Sequence, residues 1–494
     1  MGLSHLLKRS VSVLTSMALS VGFLAYKTAD SIEVSAAVNS NSLSANARQV
    51  ESLDRGLVAF KSGNGIFLSW RLLGTESYDT TFAVYRNGVK VATVTDSTNW
   101  YDSGAGTNNT YTIRSIVNGV EKTESASVSP WSQNYLDVKI NKPGDIYSAN
   151  DASIADVDDD GQYEIILKWD PSDSQDNSKS GYTSNVYIDC YEFDGTMKWR
   201  IDLGKNIRAG AHYTQFIVYD LDGDGKAEVA MKTADGTVAG DGKVIGDSSK
   251  DYRNSSGYVL DGPEYLTVFS GETGKALTTI DYIPPRGTVS SWGDKYGNRV
   301  DRFLATVAYL DGKTPSLVMC RGYYTRSVLV AYDFKNNTLT RKWTFDSNSS
   351  TNSGYAGQGN HNLSVADIDD DGCDEIIYGS MVVDNNGWGL YTTGQGHGDA
   401  LHVGDFDPDH DGLEVFQVHE TKSTSIEGVQ MRDAKTGKTL WHNNPGTDVG
   451  RGLIANIGPD YYPYIATTSA GNFDKNGNKL DLDLGKFGMN FAIW

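Results

Sequence analysis

Asp156-Val-Asp158-Asp-Asp160-Gly161-Gln-Tyr-Glu164 runs straight into the apolar stretch Ile165-Ile-Leu-Lys-Trp169, and the pattern recurs along the chain. The other copies are Asp220-Leu-Asp222-Gly-Asp224-Gly225-Lys-Ala-Glu228, Asp367-Ile-Asp369-Asp-Asp371-Gly372-Cys-Asp-Glu375 and a looser Asp405-Phe-Asp407-Pro-Asp409-His-Asp411-Gly412-Leu-Glu414. Each leads into a short strand-like segment. Alternate carboxylates at positions one, three and five can turn inward on a tight loop, glycine permits the sharp turn, and hard oxygen donors suit calcium. The glutamate falls at position nine and strands follow, unlike an EF-hand, whose bidentate glutamate is at position twelve between helices. Taken alone, such loops read as structural calcium sites that pin strands.

A second element recurs between the acidic loops. Phe193-Asp-Gly-Thr-Met-Lys-Trp199, Phe269-Ser-Gly-Glu-Thr-Gly-Lys275, Tyr332 to Trp343 and Met431 to Trp441 each read as strand, tight turn, strand. A loop, its strand and this hairpin make one four-stranded blade, so the economical architecture is a β-propeller. A parallel β-helix is the rival, but its rungs are shorter and more regular than loop starts at 156, 220, 367 and 405. Upstream, residues 48–130 alternate apolar and polar residues in Ile66–Trp70, Thr81–Tyr85 and Tyr111–Ile116, with hairpin signals at Asn87-Gly88 and Asn118-Gly119. This texture predicts a small fibronectin-III-like β-sandwich, bounded near Pro130-Trp131. The predicted chain is all-β, with the propeller over 134–494.

The 494 residues include 53 glycines, and the formal net charge of −20 argues against a nucleic-acid partner. That charge would also repel a polyanionic substrate unless bound cations and local arginines reverse the field at one site. Lys8-Arg9, the apolar run Val11–Tyr26 and the small residues Val34–Ala37 read as a secretion signal over 1–37, with a membrane anchor as the alternative and a polar linker at 38–47. Cys190, Cys320 and Cys373 are too few for a disulfide framework. The apolar Gly488–Trp494 reads as a cut inside a strand.

Only eight histidines occur, and several fall close together. If the segments holding His361, His397 with Asp399, and Glu420 converge at a central mouth, those four side chains form a mixed nitrogen and oxygen metal site. The alternative is that each histidine hydrogen-bonds within its own loop. Arg451, flanked by glycines, and Arg208 with His212 are cationic candidates, while Asn150 and Asp170 bracket the first acidic loop and its strand. Alone, these would be ordinary loop and turn residues.

The stretches Ala149–Asp158, Ile165–Ser172, Arg208–Phe216, Gln358–Asn362, His397–Asp405 and Asp448–Gly452 resemble bacterial rhamnogalacturonan lyases of polysaccharide lyase family 11. The resemblance runs from about residue 48 to the end. It implies a small β domain followed by an eight-bladed, calcium-rich propeller that cleaves the rhamnose–galacturonate backbone of pectin by β-elimination. It also implies substrate contacts at Asn150 and Asp170, an active-site calcium held by His361, His397, Asp399 and Glu420, and Arg451 beside the galacturonate. Family members continue for roughly another hundred residues, including an Asn-Gly-Thr-Lys segment, so this chain is expected to be a C-terminally shortened form. The expectation is a secreted, monomeric, calcium-dependent endolyase or exolyase on rhamnogalacturonan I. A non-catalytic calcium-stabilised binding or adhesion propeller and a glycoside hydrolase are the competing classes.

Overall fold

The computed structural model describes residues 48–482 apart from 51–53, 75, 78, 421, 424 and 457–463, together with the short strands Arg9–Ser10 and Glu33–Val34. The signal and linker readings fall almost wholly outside the described residues, and the reading of Gly488–Trp494 wholly so. Every described element is a strand except the single-turn 3-10 segments Val289–Trp292 and Ser353–Tyr355.

The N-terminal unit packs two sheets. Val58–Ser62, Gly65–Ser69 and Asn99–Asp102 form one. Val89–Val94, Thr81–Arg86, Tyr111–Val117 and Val120–Glu124 form the other, in that spatial order. Alternation places Ile66, Leu68, Phe82, Val84, Tyr111 and Ile113 between the sheets, where they form a common core. The Asn87-Gly88 and Asn118-Gly119 turns take positive φ at all four positions, the twist a two-residue hairpin needs. Asp102 is buried, and its charge is met by Arg86 at 2.9 Å and the Tyr111 hydroxyl at 2.8 Å.

Among the described residues six antiparallel sheets follow in chain order. Sheet I comprises Tyr147–Ala155, Glu164–Pro171, Tyr187–Tyr191 and Met197–Asp202, extended by the small strands Thr237–Val238 and Val244–Ile245. Sheet II is Phe216–Tyr219, Glu228–Ala234, Glu264–Ser270 and Ala276–Asp281. Sheet III is Phe303–Ala308, Ser316–Arg321, Val328–Lys335 and Thr338–Asp346. Sheet IV is Ser364–Ala366, Glu375–Tyr378, Met381–Val383 and Gly389–Thr392. Sheet V is Gly398–Gly404, Glu414–His419, Val429–Asp433 and Thr439–Asn443. Sheet VI is Gly452–Ala455, Ile465–Thr468, Gly471–Phe473 and Lys479–Leu480.

Each sheet's first strand touches the first strand of the next. Successive sheets bury their faces together: Ile166 and Ile188 of sheet I meet Val229 and Phe269 of sheet II. Likewise Ile377 and Val382 of sheet IV meet Leu401 and Val415 of sheet V. A fully buried side chain of this kind contributes about 1.5–3 kcal/mol, so the stacked faces dominate stability.

A repeated lock sets the spacing at the outer strands. Trp199, Trp343, Tyr391 and Trp441 lie on fourth strands, and each packs on a glycine in the final hairpin turn of the following sheet. Those glycines are Gly274, Gly387, Gly437 and Gly477, all with positive φ. A Cβ on any of them would come within 2.5–2.8 Å of the aromatic ring. Sheet III instead closes its turn with Asn336-Asn337, also at positive φ. We expect Gly387→Ala to lose about 2 kcal/mol or more in urea denaturation, from steric overlap and a strained backbone together. Asn337→Gly should change stability by less than about 1 kcal/mol, and equal losses at both positions would contradict the lock.

Candidate active site

The acidic loops join the first strand of a sheet to its second, so all four lie at one end of the sheets. The approaches to first strands and the exits from second strands lie at the other end. There the chain delivers His212 ahead of sheet II, Arg299 and Arg302 ahead of sheet III, and Tyr323-Tyr324 after its second strand. His361 comes ahead of sheet IV, His397 and Asp399 at the start of sheet V, Glu420 after its second strand, and Arg451 ahead of sheet VI. A cavity of about 820 Å³ opens among them, lined by His212, Arg299, Arg302, Tyr324, His361, Asp399, Glu420 and Arg451 among others. Within sheet V, Asp399 and the loop beginning at Asp405 are roughly 20 Å apart at about 3.3 Å per residue. The acidic loops and the cavity are separate sites.

His361, His397, Asp399 and Glu420 place one ligand atom each within 4.8 Å of one another. Asp399 sits at a bulge in the pairing between Gly398 and Ala400, which turns its side chain out of the ladder. His361 Nε2 is 3.2 Å from Asp399 and 3.9 Å from Glu420, and His397 Nε2 is 3.6 Å from Glu420. His397 Nδ1 lies 2.7 Å from the Gly359 carbonyl, which can only accept, so this nitrogen carries the proton. The Nε2 lone pair therefore faces the carboxylates; it is buried and, among the described residues, has no hydrogen-bond partner. Acceptors turned on acceptors fit a cation between them, and imidazole with carboxylate is a recognised divalent-metal donor set. Burial pushes the His397 imidazole down to about 4 and that of His361 to about 2, the latter helped by neighbouring His397 and His212. Burial and then Glu420 push Asp399 up to about 7, the response of a carboxylate crowded by another.

The acidic loops share one internal pattern. Glu164, Glu228 and Glu375 begin buried strands and accept the backbone N–H of Val157, Leu221 and Ile368. Asp156 and Asp220 accept several loop N–H groups, and Asp367 accepts that of Gly372. Ligand atoms gather at Asp156, Asp158 and Glu164, at Asp220, Asp222 and Glu228, and at Asp367, Asp369 and Asp371. Oxygens of Asp158, Glu164, Asp222, Asp367 and Glu375 are buried without a hydrogen-bond partner among the described residues, so these three loops fit a hard cation. Asp160, Asp224 and Glu375 stand outside the gathered sets. The fourth loop differs among the described residues. Asp405, Asp407, Asp409 and Glu414 do not gather round one point; Lys475 reaches Asp407 and Asp409, as Lys198 reaches Asp158 in the first loop, and His410 contacts Glu414 at 2.8 Å.

The sequence-predicted cavity set is brought together in part. His212, His361, Asp399, Glu420 and Arg451 line the cavity, and His397 lies directly behind it. Arg451 is 58% exposed and 3.4 Å from Asp399. Asn150, Asp170 and Arg208 are not among the lining residues. Arg208 is buried, with its guanidinium committed to Tyr213 and to the Lys179 and Gly181 carbonyls, so it braces the loop that carries Ser178. Sequence reasoning missed Arg299, Arg302, Tyr323 and Tyr324. Tyr323 stands 3.3 Å from His212 and 3.2 Å from His361, and Tyr324 is 3.0 Å from His361 Nε2. The paired tyrosines in Gly322-Tyr323-Tyr324 were a usable signal, because two polar aromatics follow a strand end there.

The cavity's arginine wall rests on a buried ion network. Glu264 pairs with Arg321 at 2.7 Å, Arg286 at 2.9 Å and Lys232 at 2.9 Å. Arg321 in turn bonds the Val300 carbonyl and Asp301, fixing the segment that presents Arg299 and Arg302. Burial alone would raise the Glu264 carboxyl, but Arg321, Lys232 and Arg286 outweigh it and hold the group well below its usual range. A depressed carboxylate stabilises the fold above its unfolded value of 4.5 and loses that contribution as pH falls below it. Glu264→Gln should cost about 3–5 kcal/mol at neutral pH by stranding three cations. The gap from wild type should narrow in urea titrations taken progressively below pH 4.5, and a gap independent of pH would contradict this.

Two family models match the chain: "Rhamnogalacturonan I lyases beta-sheet domain" over residues 48–131 and "Rhamnogalacturonan lyase family 11, C-terminal domain" over 135–494. The chain is 58% identical over 458 residues to rhamnogalacturonan endolyase YesW of Bacillus subtilis, covering 91% of this chain and 74% of that protein. It is 56% identical over 467 residues to rhamnogalacturonan exolyase YesX of the same organism, covering 90% and 76%. The solved rhamnogalacturonan lyase of Bacillus licheniformis superimposes with a TM-score of 0.84 at 60% identity, covering 88% of this chain and 76% of that one. These matches place the chain among the polysaccharide lyases. It belongs to rhamnogalacturonan lyase family 11.

Proposed function

We propose that the cavity is where this rhamnogalacturonan lyase cuts the rhamnose–galacturonate backbone of pectin by β-elimination, with Arg451 and a calcium ion neutralising the galacturonate carboxylate. The observation that carries this reading is the cluster of His361, His397, Asp399 and Glu420 beside arginines in one cavity. Elimination removes the proton at C5; its electron pair forms the C4–C5 double bond as the C4–O bond breaks, and the leaving oxygen takes a proton. The C5 proton is barely acidic while the adjacent carboxylate keeps its charge. A cation held by His361, His397, Asp399 and Glu420 would supply the positive charge that stabilises the enolate-like transition state. Arg451 adds a second positive group from the open side. His212, whose imidazole burial pushes down to about 4, stays neutral at working pH and contacts the sugar without adding charge.

The acidic loops have a different role in this reading. They bind calcium at the far end of the sheets and hold the first two strands of a blade together. First strands that touch in succession, with faces packed between them, support a propeller arrangement for the six sheets. The signal-like residues 1–37 support secretion, and extracellular calcium suits sites with dissociation constants of roughly 10⁻⁴ to 10⁻³ M.

Incubation with rhamnogalacturonan I should generate unsaturated ends with their ultraviolet absorbance. A hydrolase would give reducing ends without that absorbance, and a binding protein neither. His361→Ala and His397→Ala should each lower the rate by about hundredfold or more, with near-ultraviolet dichroism preserved. Either variant retaining wild-type rate would remove the cluster from the mechanism.

A further inference from the structure

We propose that Arg299 receives the carboxylate of a second, non-reacting galacturonate, one disaccharide repeat away from the residue that is cleaved. Among the described residues three arginines line the cavity, and two are engaged. Arg302 bonds the Asn298 carbonyl at 2.9 Å and the Tyr323 hydroxyl at 3.4 Å, and it is buried. Arg451 pairs with Asp399 and with the Gly450 carbonyl. Among the described residues the Arg299 guanidinium makes no hydrogen bond or ion pair. It lies 4.0 Å from the centre of the Tyr324 ring, stacked by cation–π attraction.

The position follows from that stacking. The His397 ring is 4.1 Å from the same Tyr324 centroid. Both groups therefore pack on one tyrosine ring and stand at most roughly 8 Å apart, the sum of the two centroid distances. The metal-type cluster is formed by His361, His397, Asp399 and Glu420, with Arg451 beside Asp399, and Arg299 is not part of it. A galacturonate in the neighbouring repeat of the same polymer is the next anionic group along. The guanidinium is also pre-placed: Asp294 accepts the backbone N–H groups of Tyr296, Gly297 and Arg299 at 2.9, 2.8 and 2.6 Å. Arg321 holds Val300 from below. A fixed planar fork with vacant donors suits bidentate carboxylate recognition.

This inference rests on the cavity's being the lyase site, and the test separates the two. Arg299→Gln and Arg299→Lys are assayed on rhamnogalacturonan polymer and on the shortest oligosaccharide that wild type cuts. Loss of one charge-assisted contact predicts a fall in kcat/KM for Arg299→Gln about ten- to hundredfold larger on polymer than on the short substrate. The extra loss should appear in KM, with Arg299→Lys recovering part of it. An equal loss on both substrates, a loss confined to kcat, or no loss on polymer would each overturn the assignment. Full activity in His361→Ala, run alongside, would overturn the site reading itself.

Discussion

The site is governed by one constraint: the acceptor nitrogen of His397 and two carboxylates are turned toward each other, with the His361 ring beside them, in a cavity that is partly cut off from water. Burial keeps both imidazoles neutral and raises Asp399, so the protein alone leaves the cluster short of positive charge. The Gly359 carbonyl fixes the His397 proton on the outer nitrogen and commits the inner lone pair to the cluster. The proposed chemistry, charge neutralisation of a uronate beside its reacting carbon, draws on that same deficit.

The fold explains how so many groups meet. Each sheet contributes through the approach to its first strand or the exit from its second, so sheets II to VI deliver residues to one cavity from segments far apart in sequence. The spacing of sheets is set elsewhere, by buried faces and by aromatic rings seated on hairpin glycines. The acidic loops lie at the opposite end. An acidic chain can thus present an arginine-lined cavity to an anionic polymer, because its carboxylate-rich loops are spatially separated from the arginines.

Much of this was legible in the sequence because repeats carry positional information. The acidic loop followed by a strand, and the hairpin ending in Trp199, Trp343 or Trp441, mark the first-to-second and third-to-fourth connections of the sheets. The Asn-Gly turns located the hairpins of the sandwich. The cavity histidines were found because histidine is rare and His361, His397 and Glu420 flank strand ends. Arg299, Arg302 and Tyr323 escaped because they belong to no repeat. Their significance comes from Glu264 and Arg321, partners that no local spacing reveals. Arg208 shows the converse: a motif arginine next to His212 turns inward and bonds loop carbonyls. The looser fourth loop carries an extra residue, His410, that contacts Glu414, and Lys475 reaches its Asp407 and Asp409.

The most direct measurement is the number of calcium ions retained per chain after gel filtration, compared between wild type and a His361→Ala/His397→Ala double variant. The account predicts that the variant keeps its folded spectrum and the ions of its acidic loops but retains one ion fewer. Equal calcium content in the two proteins would contradict a cation-holding cluster at the centre of the cavity.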